Sequence, residues 1–112
     1  MARSVALGAF EQMVLLAALR LGEEAYAPRV AAELEARAGK DVSRGTLYAA
    51  LDRLTNKGFL EWHVEASTSN RAGRRARRFA VTPGGVRALS ESRASLIGLW
   101  DGVEHLLTEG GS

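Results

Sequence analysis

The sequence predicts a mainly α-helical fold with one small β-hairpin. Three patterns favour this fold class. Before Gly58, apolar residues recur three or four positions apart in three separate segments, as they do along one face of a helix. Between Leu60 and Ala66, apolar and polar residues alternate, as in a half-buried strand. From Thr82 onward the helical spacing returns, and a length of 112 residues suits one small core.

The first two helices are predicted from their apolar faces and their ends. The first helix is expected from about Val5 to Leu21, with Gly22 as its C-cap. Its apolar face consists of Leu7, Phe10, Val14, Ala17, Ala18 and Leu21. The second helix is expected to begin near Pro28, because the first turn leaves its N–H groups unpaired and so loses nothing to proline. Its buried stripe consists of Val30, Ala31, Leu34 and Ala38, and Gly39 ends it.

A third helix is expected after the turn from Gly39 to Val42, with Ser43 as its N-cap. Its apolar face consists of Leu47, Ala50, Leu51 and Leu54, and Gly58 follows its end. Two helices of about this length joined by a four-residue turn match the helix-turn-helix plan.

A β-hairpin is expected next. The inner face of its first strand would carry Leu60, Trp62, Val64 and Ala66. Residues 67–73 are polar, contain Ser, Thr, Asn and Gly, and predict a loop. The second strand is expected from about Arg77 to Val81, with Phe79 and Val81 pointing inward. Helices followed by a hairpin predict a winged helix-turn-helix domain over residues 1–82.

A last helix is expected to begin with Thr82 as N-cap and Pro83 in the first turn. Its stripe consists of Val86, Leu89, Leu96, Trp100, Val103 and Leu107, a spacing near 3.5 that suits pairing with another helix. We therefore expect residues 83–109 to form one dimerisation helix. The predicted homodimer interface consists of Met13, Leu16, Leu89, Leu96, Trp100, Val103 and Leu107. There Trp100 either packs only or lines a pocket for a small aromatic or cationic effector.

Positive charge is concentrated in the middle of the chain. The net charge is +2, but residues 43–82 contain eight basic and three acidic side chains, whereas the rest of the chain contains seven basic and ten acidic ones. A polyanion would therefore be attracted to the middle segment. Thirteen of the fifteen basic residues are arginine, the better residue for forked contacts to phosphate and guanine.

The start of the third helix holds the residues expected to meet DNA. In a helix-turn-helix this helix enters the major groove, and its first turns reach base edges or phosphates. The predicted contacts are Ser43, Arg44, Thr46 and Tyr48. Gly45 would let the backbone approach closely, although glycine inside a helix costs about 1 kcal/mol relative to alanine. The alternative is that Ser43 is only a cap and Tyr48 only packs on the second helix.

The hairpin carries a cluster of arginines: Arg71, Arg74, Arg75, Arg77 and Arg78. Such a charge run is often only a solvated loop. Beside a helix-turn-helix it instead predicts contact with phosphates or the minor groove.

Other function classes have little support. There is no cysteine, no phosphate-binding glycine loop and no cluster with metal-ligand spacing, and His63 is expected on the surface between Glu61 and Glu65. We expect no enzyme, no cofactor and no bound metal. The longest apolar run, Met13 to Leu19, is too short to span a bilayer, and the N-terminus does not resemble a signal peptide. A cytoplasmic protein with no membrane partner is expected.

Three stretches of the sequence resemble the PadR family of transcriptional regulators. They are LGAFEQMVLLAALRLGEEAY at residues 7–26, VSRGTLYAALDRLTNKGFLE at 42–61 and RRFAVTPGGVRAL at 77–89. The resemblance implies a winged helix-turn-helix, a bacterial source, and membership of the compact branch with one short C-terminal dimerisation helix. It also implies operator binding through Ser43, Thr46 and Tyr48, usually as a repressor that a small molecule or another signal relieves.

Two positions depart from the family's pattern. Ala27 and Pro28 stand where many relatives have a glycine and an aromatic residue, which affects only the start of the second helix. The second wing strand has one aromatic residue, Phe79, where relatives have two, which bears on the wing's detailed contacts. The predicted function is a homodimeric regulator that binds a double-stranded operator. The alternative is a winged-helix module that binds a protein partner and no operator.

Overall fold

A computed structural model describes residues 7–66 and 75–110, without the side chains at positions 65, 66, 75 and 108–110. Its elements are α1 (Ala9–Leu21), a 3-10 turn (Gly22–Glu24), α2 (Ala27–Ala38), α3 (Arg44–Asn56), β1 (Leu60–Ala66), β2 (Arg75–Val81), α4 (Pro83–Trp100) and α5 (Glu104–Gly110). The predicted order of three helices, a hairpin and a C-terminal helical segment is confirmed. None of the helices in the described ranges has the length and apolar composition needed to cross a bilayer.

The first helix begins later than the sequence predicted. Gly8 is its N-cap, and the backbone N–H of Gly8 donates to Oε1 of Glu11 at 2.9 Å. This is half of a capping box, in which the third helical residue reaches back to the cap. The predicted start at Val5 was therefore wrong for Leu7 and Gly8, which lie before the helix, while Val5 itself lies outside the described residues.

The helix-turn-helix follows the predicted boundaries closely. Gly39 ends α2 with φ +65°, a left-handed conformation that glycine adopts without steric cost, and its N–H donates to the Glu35 carbonyl. Ser43 begins α3, and its Oγ accepts from the backbone N–H of Thr46 at 3.1 Å. Both ends are local signals, and both were predicted correctly.

The hairpin is buried only at its base. Its antiparallel register pairs Leu60 with Val81, Trp62 with Phe79 and Val64 with Arg77. Leu60 and Phe79 are buried, but Trp62 is 40% exposed and Val64 is also exposed. The prediction of an inward face along all of β1 was therefore wrong at Trp62 and Val64, because the helices cover only the first part of the strand.

One core joins the helices to the hairpin. Its largest fully buried side chains are Phe79, Leu15, Leu51, Leu54, Leu60, Val14 and Val30, from α1, α2, α3 and both strands. Each side chain of this size contributes about 1.5–3 kcal/mol by burial before ordering costs. Ala25, between the 3-10 turn and α2, also stabilises β2. Its carbonyl accepts a hydrogen bond from the Phe79 N–H at 2.9 Å, a contact that the sequence patterns did not predict.

The start of α4 fits tightly against the end of α3. The hydroxyl of Thr82 accepts from the Gly85 N–H at 3.0 Å and donates to the Gly58 carbonyl at 2.6 Å. Gly85 is buried, and a Cβ at this position would collide with the carbonyl oxygen of Phe59 and lie 2.8 Å from Cγ1 of Val81. Only glycine allows this approach.

The C-terminal segment is two helices, not the single helix predicted over residues 83–109. Helix α4 ends at Trp100, and α5 begins at Glu104. Asp101 is extended, with ψ 123°, and Gly102 has φ +82°, so the α-helical hydrogen bonds cannot continue. The Asp-Gly pair is a turn signal that the continuous apolar stripe concealed.

Candidate nucleic-acid interface

The first turn of α3 is exposed. Ser43, Arg44, Gly45 and Thr46 all face solvent. The Ser43 hydroxyl donates to Oγ1 of Thr46 at 2.9 Å while it accepts from the Thr46 N–H. Ser43 thus uses its only hydroxyl proton within the cap, whereas the Thr46 hydroxyl accepts and keeps its proton for another acceptor. Of the two, Thr46 is the better placed to donate to a phosphate oxygen.

No internal packing explains Gly45. A Cβ built at this position would have no heavy atom within 4 Å, so the fold leaves open space beside it. Glycine inside a helix still costs about 1 kcal/mol relative to alanine. The packing of the protomer therefore does not require glycine here, and close approach of a groove wall to the helix backbone remains a prediction.

Tyr48 connects α3, the recognition helix of the helix-turn-helix, to the β1–β2 hairpin, which is the wing. Its ring centroid lies 6.0 Å from the guanidinium carbon of Arg44 on α3 and 5.9 Å from that of Arg77 on β2. Both distances are within the range of a cation–π contact. The alternative, that Tyr48 only packs on the second helix, stays open: the side chain is half-buried and packs against the core, and the rest of it is in solvent.

Arg77 has a second aromatic neighbour, Trp62. The guanidinium carbon of Arg77 lies 4.9 Å from the Trp62 ring centroid. Arg77 therefore contacts the indole of β1 as well as the phenol of α3. Arg77 was predicted to contact DNA, whereas Trp62 was predicted only on the inner face of β1.

Two cations counted in the basic middle segment are instead bound internally. Glu11 is 5% exposed, and its carboxylate accepts from Nζ of Lys57 at 2.8 Å and from Nε of Arg53 at 3.3 Å. Among the described side chains, by contrast, neither Arg44 nor Arg77 has an ion-pair partner. Within residues 43–82, the described cations that Glu11 does not bind therefore lie at the start of α3 and on the hairpin.

The surroundings of Glu11 keep its carboxylate ionised. Burial acts to raise its pKa, but the hydrogen bond from Lys57, the Gly8 N–H, the charge of Lys57 and the hydrogen bond from Arg53 together outweigh burial. The pKa of Glu11 therefore lies below its ordinary value of 4.5. Sequence periodicity missed this residue; the Gly8–Glu11 spacing of a capping box was the available signal.

The remaining arginines of the wing are placed less fully. Arg71 and Arg74 lie outside the described residues, as does the side chain of Arg75. Arg77 and Arg78 lie on opposite faces of the hairpin, because successive strand residues alternate. Arg77 contacts the Tyr48 ring, whereas Arg78 is half-buried and pairs with Tyr26 through a β-bridge. A DNA contact by Arg71, Arg74, Arg75 or Arg78 remains a prediction.

A second feature, an apolar groove of about 620 Å³, lies between α1 and α4. Its lining includes Leu16, Leu19, Leu89, Leu96, Ile97 and Trp100. Leu16, Leu96 and Trp100 were predicted for the dimer interface, and Leu89 lies at the edge of the core, buried within the protomer. Leu19 and Ile97 were missed because the stripe was drawn too narrowly.

The other predicted interface residues lie away from this groove. Val103 and Leu107 are exposed on the far side of the break at Gly102. Met13 is half-buried against the core and lines two smaller depressions on α1. The structure therefore brings together four of the seven predicted residues, Leu16, Leu89, Leu96 and Trp100, in the lining of one apolar groove.

Comparison with known proteins gives a consistent result. Residues 15–91 match the Transcriptional regulator PadR-like family. The structure is similar to a PadR-like transcription factor from Bacteroides fragilis, with 31% identity, coverage of 87% of this chain and 88% of that one, and a TM-score of 0.68. A PadR-like regulator from Bacillus cereus ATCC 14579 has 25% identity, coverage of 89% and 92%, and a TM-score of 0.71. No protein of curated function matches the sequence.

Proposed function

The chain belongs to the PadR-like family of transcriptional regulators, and from this membership we propose that it is a homodimeric repressor. Members of this family are DNA-binding regulators and not enzymes, and the same holds for this chain. In our proposal it binds a specific operator duplex in the cytoplasm and releases it when a small molecule or another signal arrives.

The observation that carries the proposal is the position of Arg44 and Arg77 around Tyr48. The two guanidinium groups belong to different elements, the recognition helix and the wing, and both contact one ring. Two cations from different elements therefore lie beside one ring, and no described carboxylate pairs with either of them. The phosphates of DNA would neutralise both charges and would be bound from the helix and the hairpin together.

The remaining groups of the interface fit a helix in the major groove. Thr46 keeps a hydroxyl proton for a phosphate oxygen, and Gly45 leaves room for the groove wall. Arg44 lies at the first helical position of α3, where a side chain reaches base edges. The wing supplies Arg77 for the flanking backbone, and the tip arginines, Arg71 and Arg74, would extend that contact.

The apolar groove supports the proposal of a homodimer. Large apolar side chains exposed together mark an interaction surface, and here they come from both α1 and α4. A second copy of α4 is the occupant that we propose, because two-fold pairing presents two recognition helices to half-sites about one DNA turn apart. Val103 and Leu107 on α5 would extend the same interface.

We place the effector at the same subunit interface, in a part of the groove beside Trp100 that the second copy of α4 leaves unfilled. Trp100 lines it and would stack on a flat aromatic ligand, while the lining contains one basic side chain, Arg93. We propose an aromatic effector, neutral or cationic, and Trp100 as the residue that reports its binding.

A gel-shift titration tests the proposed function. The probes are a labelled duplex from the region upstream of the gene and an unrelated duplex of equal length, each at several salt concentrations. We expect tighter binding to the upstream duplex and a steep loss of affinity with salt. Arg44→Ala should weaken binding. Arg29→Ala removes an exposed cation of α2 that is paired with Glu24, and this variant should bind as the wild type does. Absence of binding to every duplex would favour the protein-interaction module instead.

A further inference from the structure

Trp62 is the largest exposed side chain on the wing, and the proposed contacts with DNA do not use it. It lies on β1 opposite Phe79, which is buried, yet 40% of Trp62 remains in water. Its neighbour on the same face, Val64, is similarly exposed. Because Trp62 is this exposed, packing in the core accounts for only part of its surface, and the rest lies beside the proposed interface.

The register of the hairpin places Trp62 next to Arg77. Trp62 pairs directly with Phe79, so Arg77 is its diagonal neighbour on the same face, within reach of long side chains. The guanidinium carbon lies 4.9 Å from the indole centroid and 5.9 Å from the Tyr48 centroid. An aromatic ring of the wing and one of the recognition helix therefore hold the same cation.

Among the described side chains, none forms a hydrogen bond or ion pair with the edge of the Arg77 guanidinium. A guanidinium stacks on a ring through its face, whereas its five N–H donors lie in its plane. No described carboxylate binds that edge. A stacked Arg77 is thus already ordered and still able to bind a phosphate with its edge, so fewer rotamers are lost when DNA binds.

We propose that Trp62 is a positioning residue for DNA binding, which acts by holding the Arg77 guanidinium at the junction of wing and recognition helix. The inference rests on the proposed DNA-binding function and adds to it a residue that touches no base. The indole can hold the guanidinium from β1 because Trp62 and Arg77 are diagonal neighbours on one face of the hairpin.

A double-mutant cycle in the full-length protein tests the proposal. The variants are Trp62→Ala, Arg77→Ala and the two combined, titrated against the upstream duplex and against the unrelated duplex. A cation–π contact of ordinary strength predicts a loss of about threefold to tenfold in affinity for Trp62→Ala. In the Arg77→Ala background the same change should have no further effect. Trp62→Phe should recover most of the affinity, and Val64→Ala, an exposed neighbour on the same face, should bind like the wild type.

A spectroscopic measurement examines the stack without DNA. In a Trp100→Phe background, Trp62 is the only tryptophan, and Arg77→Ala should change its emission. Wild-type affinity of Trp62→Ala overturns the proposal, and so does an equal loss in both Arg77 backgrounds, which would mean direct contact between the indole and DNA. If Arg44→Ala weakens binding and Trp62→Ala does not, the positioning role fails while the DNA-binding function stands. If the wild type binds no duplex, both fail.

Discussion

The ammonium nitrogen of Lys57 lies 2.8 Å from each carboxylate oxygen of Glu11. Lys57 follows the last residue of α3, and Glu11 lies in the first turn of α1. The pair therefore fixes the C-terminal end of the recognition helix to the helix that also lines the apolar groove. The geometry of α3 depends on this one buried carboxylate as well as on the apolar core.

Glu11→Gln should lower the free energy of unfolding by about 1.5–3 kcal/mol, the range for a hydrogen bond to a charged group. Because the folded-state pKa of Glu11 is lowered, its contribution is complete above the ordinary pKa of 4.5 and is lost as the pH falls through the folded-state value. Urea titrations at several pH values should therefore show the two proteins converging in acid. Glu24→Gln, in an exposed pair with Arg29, is the control and should change stability little at any pH.

Gly45→Ala should separate stability from DNA binding. Nothing in the protomer occupies the space of the new methyl group, so the variant should be more stable by about 0.5–1 kcal/mol. Its affinity for the upstream duplex should fall, because the methyl group meets the groove wall. Gly98→Ala is the matched control. Gly98 is also a helical glycine with open space beside it, and it does not line the apolar groove between α1 and α4. It should gain stability and keep its affinity; unchanged affinity in Gly45→Ala would remove Gly45 from the interface.

Arg44→Ala should reduce operator affinity by about 1–3 kcal/mol if Arg44 binds a guanine. Tyr48→Phe keeps the ring between the two guanidinium groups and removes only the hydroxyl, so it should cost about 0.5–1.5 kcal/mol in binding. Both variants should melt near the wild-type temperature in a thermal denaturation. A large drop in the melting temperature of Tyr48→Phe would show instead that the hydroxyl stabilises the fold.

The arginines near the tip of the hairpin should contribute affinity that does not depend on sequence. Arg74→Ala combined with Arg75→Ala should lower the slope of log affinity against log salt by about 0.9 for each phosphate contact removed. The decrease should be the same on the upstream and the unrelated duplex. Arg37→Ala, which removes a cation paired with Glu33 on α2, serves as the control. A slope that stays at its wild-type value would mean that the tip does not touch DNA.

Leu96→Glu should dissociate the proposed homodimer. The side chain lines the apolar groove, and a buried carboxylate without a partner is strongly unfavourable at an interface. Ser95→Glu places the same charge on the neighbouring exposed residue, which does not line the groove, and should remain dimeric. Sedimentation equilibrium of the two full-length variants distinguishes them. A dimer that persists in Leu96→Glu places the subunit contact elsewhere.

Local signals predicted the fold well, and long-range contacts account for most of what was missed. Ser43, Gly39 and Thr82 mark helix ends through hydrogen bonds or dihedral angles within a few residues, so their sequence neighbourhood is sufficient. Glu11 and Lys57 are 46 positions apart, and no periodicity relates them. A pattern of period two showed that Leu60 and Trp62 share a face, but not how far the helices extend along it.

For the candidate site, the sequence predicted which residues belong to the first turn of α3 but not how they are used. Ser43 proved to be a cap whose proton is engaged, and Arg53 and Lys57 proved to belong to the internal ion pair. The convergence of Arg44, Tyr48 and Arg77 depends on how the hairpin packs against α3. That packing is a property of the three-dimensional fold, and no motif encodes it.

The contact between Gly85 and the Phe59 carbonyl determines the angle at which α4 leaves the core. Helix α4 has 18 residues and is therefore about 27 Å long, and beyond Leu89 it leaves the core. A tilt of about 10° at this contact would displace Trp100, about 22 Å further along the helix, by about 4 Å. The position of Gly85 therefore sets the direction of the whole helix. In the proposed homodimer, a methyl group added at Gly85 would change the distance between the two copies of α3 without altering any residue predicted to contact DNA.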